Sequence, residues 1–417
     1  MKISYIRIEN FRGVQSLELK FGDRMNVFVG ENGAGKSTVL SALKYLMSWF
    51  TARMQSREGS GIFIKEEDIT NAMPFCRLQI RLDDGTYWKL FRQRKNVREK
   101  AWDKTDLTEL TALTDRLVAE HDDKNETIPY PMIAHYGVNR AVTEAKPELE
   151  KKSKMKPLDA YDGKLNNGAN FNKFFNWFRE REDIENANFR DSGCLKEDMQ
   201  LKAVRKALES AISGFSKFHV SRNPRSFVLE KDGTELSLDQ LSDGEKCYLT
   251  LVGDIARLLS MTNPETQDPL MGYGCVMIDE VDLHLHPQWQ SEVINRLAVI
   301  FPNCQFFVTS HSPLVVSNVK AFEQDRFILM RKGSAIEVYD NTYGLRVDEI
   351  LTEFFHLSSL RNLEVQAHID QVWDCLTKGD YESPTFMDAL SWLKGHLSRA
   401  DIEFVRINLE MMKQKKA

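Results

Sequence analysis

Gly30-Glu31-Asn32-Gly33-Ala34-Gly35-Lys36-Ser37-Thr38 stands between an apolar run, Val27-Phe28-Val29, and a helix-like segment from Val39 to Trp49. A glycine-rich loop in that setting lets backbone N–H groups wrap a phosphate, while the following helix points its positive end at the same anion. Lys36 is placed to bridge the β- and γ-phosphates of a nucleotide, and Ser37 to ligate Mg²⁺. The bland reading, a glycine-rich turn with a stray lysine, has to account for strand, loop and helix together. The stretch therefore predicts a P-loop in an α/β fold.

Three later segments carry groups that a phosphate site uses. Leu241-Ser242-Asp243-Gly244-Glu245-Lys246 precedes an apolar-periodic helix, Tyr248 to Leu259, which puts the Ser242 hydroxyl and the Gly244 backbone at a helix N-terminus as a second anion site. Taken alone, it reads as an ordinary capping turn. Gly274-Cys275-Val276-Met277-Ile278-Asp279-Glu280 is an apolar strand ending in two acids. Asp279 suits Mg²⁺, and Glu280 suits accepting a proton from, or orienting, the water that attacks a γ-phosphate. Phe306-Phe307-Val308-Thr309-Ser310-His311-Ser312-Pro313 is a buried-type strand ending in a histidine able to hydrogen-bond the γ-phosphate and sense its loss. His284 and His286 stand two apart, but no further Cys or His follows at ligand spacing, so they read as packing residues and not as a zinc site.

Composition narrows the setting. The 417 residues are 42% hydrophobic and 28% charged, the profile of a soluble globular protein of two or three domains. A net charge of -5 gives no overall drive towards nucleic acid or an anionic membrane, so any DNA contact needs a local basic patch. No apolar run approaches a membrane span, which predicts a cytoplasmic protein without a membrane partner. The six cysteines form no C-x-x-C pair and read as reduced packing residues.

The chain separates into stretches of different character. Residues 1–140 open with strand-like alternation (Ile6 to Ile8, Leu17 to Phe21), and further strands at Arg77 to Leu82 and Tyr87 to Phe91 flank an Asp83-Asp84-Gly85 turn. Residues 141–220 begin with the lysine-rich Lys146 to Lys156 and the turn-rich Asn166-Asn167-Gly168. They then turn helical, with Phe171, Phe174, Phe175 and Phe178 at helical spacing, and read as an insertion. Residues 221–345 alternate short strands with helices as in a parallel sheet, and residues 346–417 read as a helical extension.

Taken in order, these residues resemble the ATP-binding-cassette type of head ATPase found in the SMC, RecF and OLD families, over most of residues 1–345. The resemblance implies an ABC-type (SMC/RecF-like) P-loop ATPase head with a helical insertion and a helical C-terminal extension, using ATP and Mg²⁺. Gly30 to Thr38 then correspond to Walker A, Leu241 to Lys246 to the signature, and Cys275 to Glu280 to Walker B with its catalytic glutamate. Val281-Asp282 starts the D-loop, and His311 is the switch histidine. Lys36, Glu280 and His311 are the implied catalytic residues, and Ser37 and Asp279 the implied metal ligands. Arg12, in Glu9-Asn10-Phe11-Arg12-Gly13, matches a phosphate-contacting arginine, though it also reads as an exposed strand arginine.

Such heads hold two ATP between two subunits, each P-loop facing the partner's signature. A homodimer or higher homo-oligomer would then complete the site, with Ser242 and Gly244 acting in trans. Here the signature reads Ser-Asp-Gly-Glu in place of Ser-Gly-Gly-Gln. Gln79 and Gln93 lie inside strands, so Asn139, in Ile133 to Arg140, is the nearest substitute for the family's Mg²⁺-side glutamine.

The interval from Ser37 to Ser242 leaves no room for SMC coiled coils, and the tail lacks the acid-rich strand pattern of the OLD nucleases. Phe174 to Glu180, Leu241 to Glu245, Ile278 to Pro287 and Tyr343 to Arg346 are similar to the PtuA ATPases of Septu antiphage systems, which also occur as retron effectors. That resemblance implies a regulatory and scaffold subunit controlling an HNH nuclease partner, with DNA contacted by the complex and, in a retron, a reverse transcriptase and its nucleic acid nearby. Trp373 and Trp392 in the terminal helices are then docking candidates. The alternative is a stand-alone RecF/SMC-like repair ATPase that clamps DNA as an ATP-dependent dimer, with Lys151, Lys152, Lys154 and Lys156 as phosphate contacts or as a solvated linker.

Overall fold

The computed structural model describes residues 1–95, 97, 103–123, 128–138, 155–163, 165, 171–193, 197–320, 325–331, 336–339, 342–357, 359–398 and 400–414. Asn139, the Asn166 to Gly168 turn and Lys151, Lys152 and Lys154 lie outside them. The chain divides into two compact units, residues 1–345 and 346–417.

In the first unit, β1 (Ile3–Phe11), β2 (Val14–Lys20), β4 (Phe75–Leu82) and β5 (Tyr87–Gln93) form an antiparallel sheet in the order β2-β1-β4-β5. The β4–β5 pair is the hairpin expected from the Asp83-Asp84-Gly85 turn. Alternation puts Ile6, Ile8, Leu17, Leu19, Leu78 and Ile80 into the core, as in an antiparallel sheet with one solvated face.

The second sheet holds β3 (Met25–Gly30), β6 (Met132–Tyr136), β10 (Gly274–Ile278), β11 (Cys304–Thr309), β12 (Arg326–Met330) and β13 (Ile336–Tyr339). Its order is β13-β12-β3-β11-β10-β6, parallel throughout except for β13. Strands β3, β10 and β11 are buried along their whole length, which explains their near-continuous apolar runs.

Two buried amides fit here only because every polar atom is bonded. Gln305 donates to Ile3 O at 2.8 Å and Gly22 O at 2.7 Å, and it accepts from Ile3 N–H at 2.7 Å, tying the two sheets together. Asn26 accepts from Gly22 N–H at 2.8 Å and donates to Gly22 O at 3.0 Å.

One strand, β11, separates the P-loop strand β3 from β10. The C-terminal ends of β3, β11 and β10 therefore open side by side on one edge, the edge at which open parallel sheets bind ligands.

One expectation needs correction. The first strands after residue 214, β7 (Phe215–Arg222), β8 (Arg225–Lys231) and β9 (Thr234–Ser237), do not join the parallel sheet but form a separate antiparallel one, β7-β8-β9. The joining turns, Asn223-Pro224 and Asp232-Gly233, are too short for parallel crossovers, which need a dozen residues or more. The same sheet begins inside the stretch expected to be mainly helical. The insertion helices Phe171–Ser192 and Met199–Ala211 pack near it, with Phe174 and Phe178 lying edge-on to Phe227 at 5.5 and 5.0 Å.

The second unit is helical: Val347–Glu353, Leu363–Lys378, Pro384–His396 and Ile402–Gln414. Val372, Leu376, Leu390, Leu393 and Ile407 form its core, and Trp373 and Trp392 pack partly buried against that cluster. Trp373 Nε1–H donates to Glu403 at 3.3 Å, and Trp392 is stacked between His368 at 4.0 Å and His396 at 3.9 Å. Both tryptophans are thus occupied within their own unit. Among the described residues no helix is long and apolar enough to cross a membrane.

Candidate functional site

The P-loop leaves β3 at Gly30, whose φ is 142° and where an added Cβ would lie 2.2 Å from the Met330 carbonyl of the neighbouring strand. Only glycine passes that point. The helix Lys36–Gln55 then starts at Gly35 with no side-chain cap, so its first N–H groups are left for an external anion. Lys36 Nζ donates to Gly30 O at 2.7 Å and Glu31 O at 2.9 Å, which holds the ammonium in the mouth of the loop. Burial lowers the Lys36 pKa to about 8, against the pull of Asp279, Glu280 and Asp282 in the opposite direction.

The Asp279–Glu280 turn is suspended between the strands on either side of it. Asp279 N–H donates to Tyr136 O at 2.8 Å, and Val281 N–H donates to Thr309 O at 2.9 Å. The Thr309 hydroxyl donates to Asp279 Oδ1 at 2.6 Å and accepts from Glu280 N–H at 2.7 Å. From the P-loop side, the Ser37 hydroxyl donates to the same Asp279 Oδ1 at 3.0 Å. Glu280 has φ 49°, a left-handed backbone that a non-glycine residue keeps only when its surroundings enforce it. Thr309 was not singled out from the sequence. The available signal was a hydroxyl residue at the end of a buried strand beside the one carrying two acids.

A cleft of about 530 Å³ opens at this edge, lined among others by Arg12, Gly33, Lys36, Ser37, Glu280 and His311. Asn32, Ala34, Gly35 and Thr38 also line it. Arg12 reaches the cleft while anchored from behind: its guanidinium donates to Asp68 at 2.7 Å, to the Ser41 hydroxyl at 3.0 Å and to the Tyr45 hydroxyl at 3.3 Å. His311 follows β11 and is half-buried. Its pKa is lowered by burial and by Lys36, against the opposing pull of Glu280, Asp282 and Asp279.

Ser242 and Gly244 do not line this cleft. Ser242 caps the helix Asp243–Thr262 in a capping box with Glu245. Gly244 is buried, and a Cβ there would lie 2.2 Å from the His284 carbonyl. The start of the helix Asp243–Thr262 and the loop at His284 are thus packed backbone to backbone within one chain. Gly244→Ala is expected to cost about 1–3 kcal/mol, because the clash is with rigid backbone. A thermal unfolding curve checks this, and an unchanged midpoint would contradict it. His286 caps the short turn Pro287–Gln290 by accepting from Gln288 N–H at 3.3 Å, while His284 is exposed.

Residues 25–317 match the family described as "AAA domain, putative AbiEii toxin, Type IV TA system". The chain is 28% identical to "Retron Vc95 probable ATPase" of Vibrio cholerae serotype O1 biovar El Tor, over 79% of this chain and 73% of that one. It is 26% identical to "Retron Ec83 probable ATPase" of Escherichia coli, over 99% and 87%. It is 23% identical to "Septu protein PtuA" of Bacillus thuringiensis, over 86% and 85%. The chain is thus PtuA-like, as its motifs indicated. Among solved structures, an SMC head bound to the C-terminal winged-helix domain of ScpA aligns at 13% identity over 82% of this chain and 98% of that one, with a TM-score of 0.46.

Proposed function

The chain belongs to this AAA domain family, and on that premise we propose that it is the ATP-responsive regulatory and scaffold subunit of an antiphage complex whose cutting is done by a partner HNH nuclease. The observation that carries the ATPase part is the Ser37–Asp279–Thr309–Glu280 chain of hydrogen bonds, which sets two acids against the mouth of a P-loop.

In this reading Lys36 leaves the loop carbonyls for the β- and γ-phosphates, and the P-loop N–H groups hold the β-phosphate. Ser37 Oγ and Asp279 Oδ1 form an all-oxygen pair that fits Mg²⁺, a hard cation. Bound there, Mg²⁺ would neutralise phosphate charge. Glu280 orients the attacking water and takes its proton, and His311 hydrogen-bonds the γ-phosphate.

In this reading Ser242 and Gly244 complete the site in trans, in a homodimer or higher homo-oligomer. Asp282 Oδ1 fits this arrangement: it is buried with no hydrogen-bond partner among the described residues, the kind of group that a second chain or a ligand satisfies. The likeness to Septu and retron proteins supports a place in an antiphage system, and the HNH nuclease partner is what the PtuA resemblance of the motifs implies. DNA would be contacted by the complex, and a retron reverse transcriptase with its nucleic acid would be a further neighbour.

The test is co-expression with the adjacent open reading frame, followed by the mass of the purified complex and a DNA-cleavage assay, each with and without ATP and Mg²⁺. Co-purification with nucleotide-dependent cleavage supports the proposal. A chain that purifies alone, dimerises with ATP and binds DNA by itself makes a RecF/SMC-like repair clamp the better account.

A further inference from the structure

Glu245 stands in the first turn of the signature helix, and it is only 6% exposed. One carboxylate oxygen, Oε2, accepts from both the Ser242 backbone N–H and the Ser242 hydroxyl at 2.8 Å. The other, Oε1, is met by Lys231 Nζ at 2.6 Å. Lys231 ends β8, at the Asp232-Gly233 turn into β9, and its ammonium lies 5.4 Å from the ring of buried Phe215 on β7. The separate antiparallel sheet thus delivers a fixed cation to the N-terminus of the signature helix.

Charge bookkeeping gives that cation a purpose. A helix N-terminus offers an anion roughly half a positive charge. A full carboxylate charge within hydrogen-bond distance of the same serine would overturn that attraction, and a phosphate arriving at Ser242 would meet net repulsion. Lys231 cancels the Glu245 carboxylate, Lys246 Nζ stands 3.6 Å from the exposed Asp243 carboxylate of the same turn, and the helix end keeps its positive potential.

The geometry points to Lys231 as a positioning residue of the phosphate site completed in trans: by neutralising Glu245, it lets the Ser242 hydroxyl and the helix N-terminus receive the γ-phosphate carried by a second copy of this chain. This rests on the reading of Ser242 as facing the partner's ATP. On arrival of the phosphate, the Ser242 hydroxyl turns from Glu245 Oε2 to a phosphate oxygen, while the carboxylate keeps the Ser242 N–H and Lys231.

A pair that merely holds the fold would behave differently from one that balances charge, and a set of variants separates the two. Lys231→Met, Lys231→Arg and the double variant Lys231→Met/Glu245→Gln are compared with the parent chain for thermal midpoint, binding of a fluorescent ATP analogue at the P-loop, and ATP turnover. Lys231→Met is expected to bind the analogue as the parent does while turnover falls about tenfold, the effect of roughly one lost charge-assisted contact. Lys231→Arg and the double variant are expected to recover turnover to within about threefold, since each restores neutrality at the helix end. Unchanged turnover in Lys231→Met overturns the proposal, as does a double variant that binds the analogue yet stays as slow as the single one. Ser242→Arg is the control for the underlying reading: if it too leaves turnover intact, the site is not completed in trans, and the failure lies there and not with Lys231.

Discussion

Glu280→Gln is expected to lower ATP turnover by about 10²–10⁴-fold while leaving ATP affinity within a few-fold of the parent, the pattern for loss of a group that acts only in the transition state. The amide keeps the shape and the left-handed backbone at this position but removes the proton acceptor. The turn itself should survive, because it is held by the Glu280 N–H to Thr309 hydroxyl bond at 2.7 Å and by the backbone bonds of Asp279 and Val281, none of which involves the Glu280 carboxylate. Single-turnover hydrolysis beside equilibrium nucleotide binding checks this. Equal loss of binding and turnover would assign Glu280 to ATP affinity, and near-normal turnover would remove it from the chemistry.

Lys36→Met is the second large effect, and it carries a pH signature. Replacing the ammonium removes charge-assisted contacts to two phosphates, so ATP affinity should fall by at least about 2 kcal/mol, roughly thirty-fold. In the free protein burial places the Lys36 pKa at about 8. Below that pH the amine is already charged when ATP arrives. Above it the free protein must take up a proton on binding, and ATP phosphates raise the amine pKa in the complex. Affinity should therefore be flat below about pH 8 and then fall towards tenfold per pH unit as pH rises, until the pKa of the complex is reached. Calorimetric titrations across pH 7 to 10 read this directly, and the slope should vanish in Lys36→Met. A slope of the opposite sign, or one kept in the variant, would mean that another group controls binding.

Much of this site could be read from residue order, for a physical reason. Gly30 to Thr38, Cys275 to Glu280 and Phe306 to His311 are contiguous stretches in which a buried strand runs straight into the candidate site residues, so the apolar run and the polar end appear in one window. Thr309 escaped because its role depends on the strand order: only with β11 between β3 and β10 does its hydroxyl reach Asp279 and Glu280. Lys231 escaped for the same reason, since its partner lies on another element.

The sheet of β7, β8 and β9 was misassigned because a short strand has the same alternation whichever partner it takes, and only the tight turns at Pro224 and Gly233 disclose antiparallel pairing. The two tryptophans of residues 346–417 show the converse. Trp373 and Trp392 in charged sequence looked available for docking, but His396 meets Trp392 from one turn along its own helix, and packing of neighbouring helices brings His368 to Trp392 and Glu403 to Trp373.

The central claim is that two copies of this chain share each ATP site, one giving the P-loop and the acids, the other Ser242 and Gly244. Mixing two inactive variants tests it most directly. Lys36→Met has a broken P-loop with an intact signature, and Ser242→Arg the reverse. Each alone should be nearly inactive. If sites are completed across a two-fold interface, random exchange of the two makes half of the dimers mixed with one good site each, and turnover should return to about a quarter of the parent value. No recovery on mixing, with exchange verified by tagged chains, would contradict the account and place the whole site within one chain.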